Sequence, residues 1–288
     1  MPFGKQVFLI SGHILQVINL DNKQLEPNNN NEKENDNKKK IKLFLIFIIV
    51  FVIVFCGVYF AIQLYNNHIT APPKTTTAPT TQITPSENPV DNPIDFKSLQ
   101  EKNDEIYAWI KVDDTNVDHP IVQSATDDEF YLKHKAEDKS WSASGAVYTE
   151  LANSKNFKDP VTVIYGHNGY GDTMFTTLHR FEDEDFFNNH PYFTIYTTNR
   201  KLTYQIVSAF KYDDRHILNS FRFSDISVLE DFQKMIQNPD SVSKNVRTQL
   251  DTEITKDSKI VILSTCITNQ KSNRLLICGV LTKDEKTN

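Results

Sequence analysis

The chain has 288 residues, room for one sizeable globular domain with appendages. Its 37 acidic and 31 basic residues give a net charge of −6, and from residue 71 onward 24 Lys and Arg meet 32 Asp and Glu. No basic stretch interrupts that acidic balance, which excludes nucleic acid as a partner.

Residues 1–42 read as a polar cytoplasmic tail ending in Lys38, Lys39, Lys40 and Lys42. Leu43 to Ile62 is a run of 20 residues without a charge. As a helix it spans about 30 Å, the thickness of a bilayer's hydrocarbon core. It lacks the polar stripe of a buried core helix, so a transmembrane signal-anchor is expected over 43–64. No basic residue follows until Lys74, which puts the N-terminus in the cytoplasm and the remainder outside the cell membrane. Residues 65–94 read as an extracellular linker. Six of the twelve prolines fall between His68 and Pro93, interleaved with threonines, a composition that favours an extended tether over a core.

Residues 95–288 carry the globular domain. Asp95 opens a helix-like stretch that runs to a docking cluster of Ile106, Tyr107, Trp109 and Ile110. Short β-like runs follow: Val117 to Val122, Gly145 to Tyr148, Val161 to Tyr165, Tyr192 to Tyr196, Leu202 to Phe210, Lys259 to Leu263 and Leu275 to Leu281. Helical candidates lie at Asp127 to His134 and Thr173 to Phe181. A longer helical insertion, capped by Ser224, carries Ile226, Leu229, Phe232 and Met235 or Ile236 at helical spacing and stops at Asn238-Pro239. The expected fold is mostly β with helical insertions, a closed or nearly closed β-barrel with a helix before the strand that leads to Cys266.

Three cysteines are present. Cys56 lies in the expected span, leaving Cys266 and Cys278, for which an extracellular disulfide is the default. The spacing argues otherwise. A hairpin centred near Gln270 sets Cys266 opposite Arg274 and Cys278 opposite Ile262. The sulfurs then lie roughly 13 Å apart along the sheet, whereas bridged Cα atoms lie within about 7 Å. The same hairpin puts a guanidinium beside a free thiol, where it can favour the ionised sulfur and donate to an oxyanion. Position alone favours reading Arg274 as a solvated strand-end charge over a catalytic one.

Thiol catalysis needs a base or cationic partner. Of the histidines beyond the span, only His167 directly follows a compact apolar strand and a glycine, Gly166. His119 and His190 precede prolines, and His179 sits on a helix-like stretch. Neither C-x-x-C, H-x-x-x-H nor H-E-x-x-H occurs, so zinc is not expected.

Leu263-Ser264-Thr265-Cys266, followed eight positions later by Arg274, resembles the signature of the sortases. Val163-Ile164-Tyr165-Gly166-His167-Asn168 resembles the segment carrying their histidine. Asn103 to Ile110, Val117 to Gln123 and the helical insertion are similar to class B members, although Ile262 stands where those often carry threonine. The resemblance covers about Asp95 to Leu281. It implies a sortase-like barrel and a cysteine transpeptidase with Cys266 as nucleophile, His167 as acid and base, and Arg274 as substrate and oxyanion holder. It further implies that Ser264 and Thr265 contact substrate and that no cofactor is needed. The substrate would be a secreted protein with a C-terminal sorting signal built on Pro-x-Thr, and the acceptor a peptidoglycan cross-bridge amine of a Gram-positive cell wall. Three rivals remain: a pilin-polymerising sortase, an L,D-transpeptidase and a non-enzymatic adhesin. The second places His, Gly, Cys and Arg within a few adjacent residues, which Thr265 and Ile267 do not match.

Overall fold

The computed structural model describes residues 86–169 and 171–288. The expected tail, span and first part of the linker lie outside them. Among the described residues no helix is long and apolar enough to cross a membrane.

The order is β1 (Ser86–Val90), α1 (Phe96–Lys102), β2 (Ile106–Lys111), β3 (Asp118–Val122), β4 (Val147–Tyr148) and β5 (Val161–Tyr165). Then come α2 (Glu184–Asn189), β6 (Tyr192–Thr197), β7 (Arg200–Asp213), α3 (Ile217–Ser220), α4 (Ile226–Gln237), β8 (Lys244–Val246), β9 (Ile260–Ile267) and β10 (Gln270–Thr287). Two 3-10 segments, Phe130–Leu132 and Thr176–Glu182, occupy the loops read as helical.

Strand neighbours run β10-β9-β5-β4-β3-β2-β6-β7, and β7 pairs back onto β10. The result is a closed eight-stranded barrel, as expected, with β1 and β8 as outriggers. It is mixed: β3 with β4 and β5 with β9 are parallel, the other barrel pairs antiparallel. β1 falls in the stretch read as linker and pairs in parallel with the end of β10.

Both faces of the central strands are buried, because α4 covers one of them. In β9, Val261 and Leu263 join the cluster that holds Ile110, Ile121, Phe193 and Tyr204, while Ile260 and Ile262 join Leu229, Phe232 and Ile236 of α4. β10 divides likewise, with Ile277 on the first face and Cys278 on the second. Period-two alternation is thus apolar on both sides, which explains the near-continuous hydrophobic runs.

Two local readings change. The docking cluster at Ile106 to Ile110 is a strand, not the end of a helix. Asp95 caps only α1, its carboxylate accepting the Ser98 N–H at 3.1 Å, and the chain turns at Asn103. α4 is capped by Asp225 rather than Ser224, the Asp225 carboxylate accepting the Ser227 N–H at 3.0 Å.

Candidate functional site

The parallel pairing of β5 with β9 brings the candidate residues together. Register runs Val161 to Ile260 through Tyr165 to Ser264. The ladder ends there: His167 follows the last residue of β5 by two positions, and Cys266 follows Ser264 by two positions within β9. On the other flank of β9, Arg274 is the pairing partner of Cys266, as the hairpin argument predicts. Cys266 thus lies between Arg274, opposite it on β10, and the loop that leaves β5 with His167.

All three line a cleft of about 540 Å³, together with Ser264 and Thr265. One wall is formed around Asp128 to Leu132, the other by Tyr212 to Asn219. The cleft thus has a reactive end at the tips of β5 and β9 and room for a short peptide.

Cys266 is free and exposed; Cys278 is free and fully buried. Cys278 pairs with Ile262, so the two sulfurs stay apart. Burial beneath α4 pushes the Cys278 thiol up to about 12, which keeps it protonated and inert.

His167 Nε2–H donates to the carbonyl of Leu132 at 2.9 Å. A carbonyl only accepts, so this bond fixes which nitrogen carries a hydrogen. Nδ1, unpartnered among the described residues, is left for proton transfer. Arg274 spends Nη1 on its own turn, donating to Lys271 O and Asn273 O at 3.0 Å each. Its Nε and Nη2 have no partner among the described residues.

Ser264 and Thr265 lie in the cleft lining but are mostly buried, at 6% and 2% exposure. The Ser264 carbonyl accepts the Gly166 N–H at 3.2 Å. Thr265 Oγ1 is buried and has no hydrogen-bond partner among the described residues.

Further groups at the site had no local signal in the sequence. Glu150 accepts from His216 Nε2 at 2.8 Å across the cleft, and burial raises its carboxyl above the usual range. Tyr148 and Tyr165 stack 5.4 Å apart in the cleft wall. Asn168 and His179 both reach the carbonyl of Cys266, at 3.0 Å each. His179 had read as an ordinary helix residue; only the fold shows that its short 3-10 segment lies against the end of β9.

Comparison with known proteins agrees with this arrangement. Residues 110–282 match the model of the sortase domain. Sortase B of Listeria monocytogenes is 26% identical over 189 residues, covering 65% of this chain and 74% of that protein. The crystal structure of Clostridium perfringens sortase B superposes with a TM-score of 0.59 at 30% identity, over 65% of this chain and 100% of the other. A Streptococcus pyogenes class B sortase involved in pilus biogenesis gives 0.56 at 30% identity, over 66% and 98%. The chain belongs to the sortase family and is a sortase B-like cysteine transpeptidase.

Proposed function

We propose that this enzyme cleaves a C-terminal sorting signal with a Pro-x-Thr core and transfers the protein upstream of the cut to a peptidoglycan amine. The observation that carries the reading is that His167, Cys266 and Arg274 line one cleft, with Arg274 paired to Cys266 and His167 two residues past the end of the strand on the other flank. The thiolate of Cys266 attacks the threonine carbonyl carbon. The tetrahedral intermediate collapses, breaking the C–N bond as His167 protonates the departing amine, and a thioester remains. An acceptor amine then attacks the thioester carbon, gives its proton to His167, and expels the thiolate. Arg274, with Nε and Nη2 uncommitted, faces the oxyanion formed in each step. Ser264 and Thr265 contact the peptide beside the scissile carbonyl. We further propose that the catalytic domain acts outside the cell membrane, tethered by the apolar segment at 43–64.

The full chain, purified in detergent, is incubated with a library of Pro-x-Thr peptides and followed by mass spectrometry. Cleavage and a thioester adduct on Cys266 are expected. Cys266→Ala should abolish both; turnover above about one per cent of native in that variant would exclude Cys266 as nucleophile.

A second reading is favoured by one observation, the similarity to a class B sortase involved in pilus biogenesis. In that reading the acceptor is a lysine side chain of another protein subunit. Offering the acyl-enzyme a cross-bridge peptide and a lysine-bearing peptide in competition separates the two.

A further inference from the structure

The carbonyl of Cys266 is held in a way that the strand ladder does not supply. β9 bonds to β5 as far as Ser264, whose carbonyl accepts the Gly166 N–H. Carbonyls facing the same neighbour recur every second residue, so the next on that side belongs to Cys266. β5 has ended by then. Two side chains take the place of its backbone. Asn168 Nδ2 donates to Cys266 O at 3.0 Å, and His179 Nε2–H donates to the same oxygen at 3.0 Å. Asn168 Nδ2 also donates to Thr268 Oγ1 at 3.0 Å, so one amide grips the chain on both sides of Ile267. Behind His179 the Glu182 carboxylate accepts from Nδ1–H, so the ring bridges two acceptors through both its N–H groups, with Asn168 Nδ2 also 3.1 Å from Nε2.

The other flank gives little help. Pairing of β9 with β10 is irregular between Gln270 and Arg274, and Cys266, Thr268 and Asn269 are exposed. An exposed strand end with few ladder bonds opens readily. Asn168 is also the residue after His167. Its bond to Cys266 O therefore sets the spacing of the two reacting side chains without touching either.

We propose that Asn168, His179 and Glu182 are positioning residues that extend the β5–β9 ladder through side chains and keep the nucleophile level with His167. The inference rests on the reading of Cys266 as nucleophile. Its physical content is that loss of the clamp lets the thiol drift relative to the imidazole and to the bound carbonyl. A drift of about 1 Å in such a pair costs up to roughly a hundredfold in turnover, while peptide binding along the cleft walls is untouched. The effect belongs in kcat and leaves KM alone.

The test uses the full chain in detergent, the Pro-x-Thr library peptide that the native chain cleaves fastest, and iodoacetamide as a second probe of Cys266. His179→Leu and Asn168→Ala should each lower kcat by about tenfold or more, with KM within about twofold of native. His179→Gln can still present an N–H to Cys266 O and should recover to within about threefold. A side chain that served only folding stability would lower the melting temperature without this split or this rescue. Native kcat in His179→Leu, or equal impairment in His179→Gln and His179→Leu, overturns the proposal. Should His179→Leu not fold, Asn168→Ala decides alone by the same criterion. If the native chain cleaves no library peptide, the proposed substrate is wrong. The clamp is then judged by the alkylation rate of Cys266, which must fall in His179→Leu and return in His179→Gln. Turnover persisting in Cys266→Ala would instead remove the nucleophile on which the inference stands.

Discussion

Gly166 offers the sharpest test of how the histidine is placed. It lies between the end of β5 and His167, and no positive φ requires a glycine there; the close approach of Phe175 does. A Cβ at 166 would fall 2.5 Å from Cγ and 2.6 Å from Cδ2 of that ring, where ordinary contact begins at 3.4 Å. Something must therefore yield by about 0.9 Å. Phe175 is fully buried among Leu178, Phe181 and Ile164, and its own N–H donates to His167 O at 3.0 Å. If the ring yields, overpacking costs about 1–3 kcal/mol, or roughly 3–10 °C in Tm for a domain of this size. If the backbone yields, His167 shifts by nearly an ångström against Cys266 and turnover falls about a hundredfold.

Gly166→Ala is thus expected to lose several degrees in Tm where the ring yields, up to about two orders of magnitude in kcat where the backbone yields, or a share of each, with peptide KM little changed. Both are read on the full chain, by thermal melt and by cleavage of the best Pro-x-Thr peptide. Phe175→Leu trims the offending ring, at a cavity cost of its own. In the double variant the two substitutions should be strongly non-additive, with part of the activity lost by Gly166→Ala returning. A Gly166→Ala protein that melts and turns over like the native one would refute the contact argument. A double variant that merely sums the two losses would show that the strain is not carried by Phe175.

Three further outcomes follow from the same geometry. Iodoacetamide at about pH 8 should label Cys266 and leave Cys278 untouched in the folded protein, since burial holds the latter's thiol near 12; comparable labelling of both, read by peptide mapping, would contradict that burial. Burial raises the Glu150 carboxyl, so the folded state favours its protonated form, and the stability it contributes is complete below 4.5 and is lost as pH rises through the raised value. Glu150→Gln keeps an acceptor for His216 and should leave Tm unchanged at about pH 4 while raising it at neutral pH; a fall at neutral pH would mean that the pair with His216 outweighs burial. Arg274→Lys should lose on the order of a hundredfold in turnover, and Arg274→Ala more, if an oriented fork is needed; near-native turnover with lysine would reduce Arg274 to a local charge.

What the sequence made legible was local. The hairpin centre could be placed from the polar stretch between two apolar runs, and the register it implies, Cys266 with Arg274 and Cys278 with Ile262, is the register found. The apolar positions of α4 were visible at helical spacing, although the cap shifted by one residue, since Asp225 and Ser224 are both good caps and only backbone geometry chooses. Ile106 to Ile110 misled because a short apolar run behind an acidic helix start fits the end of that helix as well as a strand. Tertiary pairing with β3 and β6 settles it as β2. His179 and Glu182 could not be connected to Cys266 at all, being 87 and 84 positions away in a segment without a motif.

The decisive non-local fact is that β5 and β9 are adjacent and parallel, although they lie about a hundred residues apart. A trace of it was present. Ile260 to Leu263 is apolar without alternation, and Val161 to Ile164 is interrupted only by Thr162, which is buried too; strands of that kind must be covered on both faces. One face is the barrel interior and the other lies under α4, so the two runs compete for the same sheltered stretch of sheet. Two fully buried strands with no polar edge gain most by sharing their ladder bonds, since any other neighbour would leave backbone groups unpaired under the helix. Parallel pairing then brings both C-terminal ends to one rim, where Gly166-His167 leave the sheet beside Thr265-Cys266 near the end of β9. The site is thus a consequence of core packing: the helix that buries Cys278 on one side of the sheet also secures the strand pair whose ends carry His167 and Cys266. Loosening that cover, for example with Phe232→Ala, should cost about 3–5 kcal/mol. The loss should reach activity through the strand ends before the whole barrel unfolds, with alkylation of Cys278 rising in step. If Cys278 stays protected while activity falls, the coupling between helix cover and site is absent.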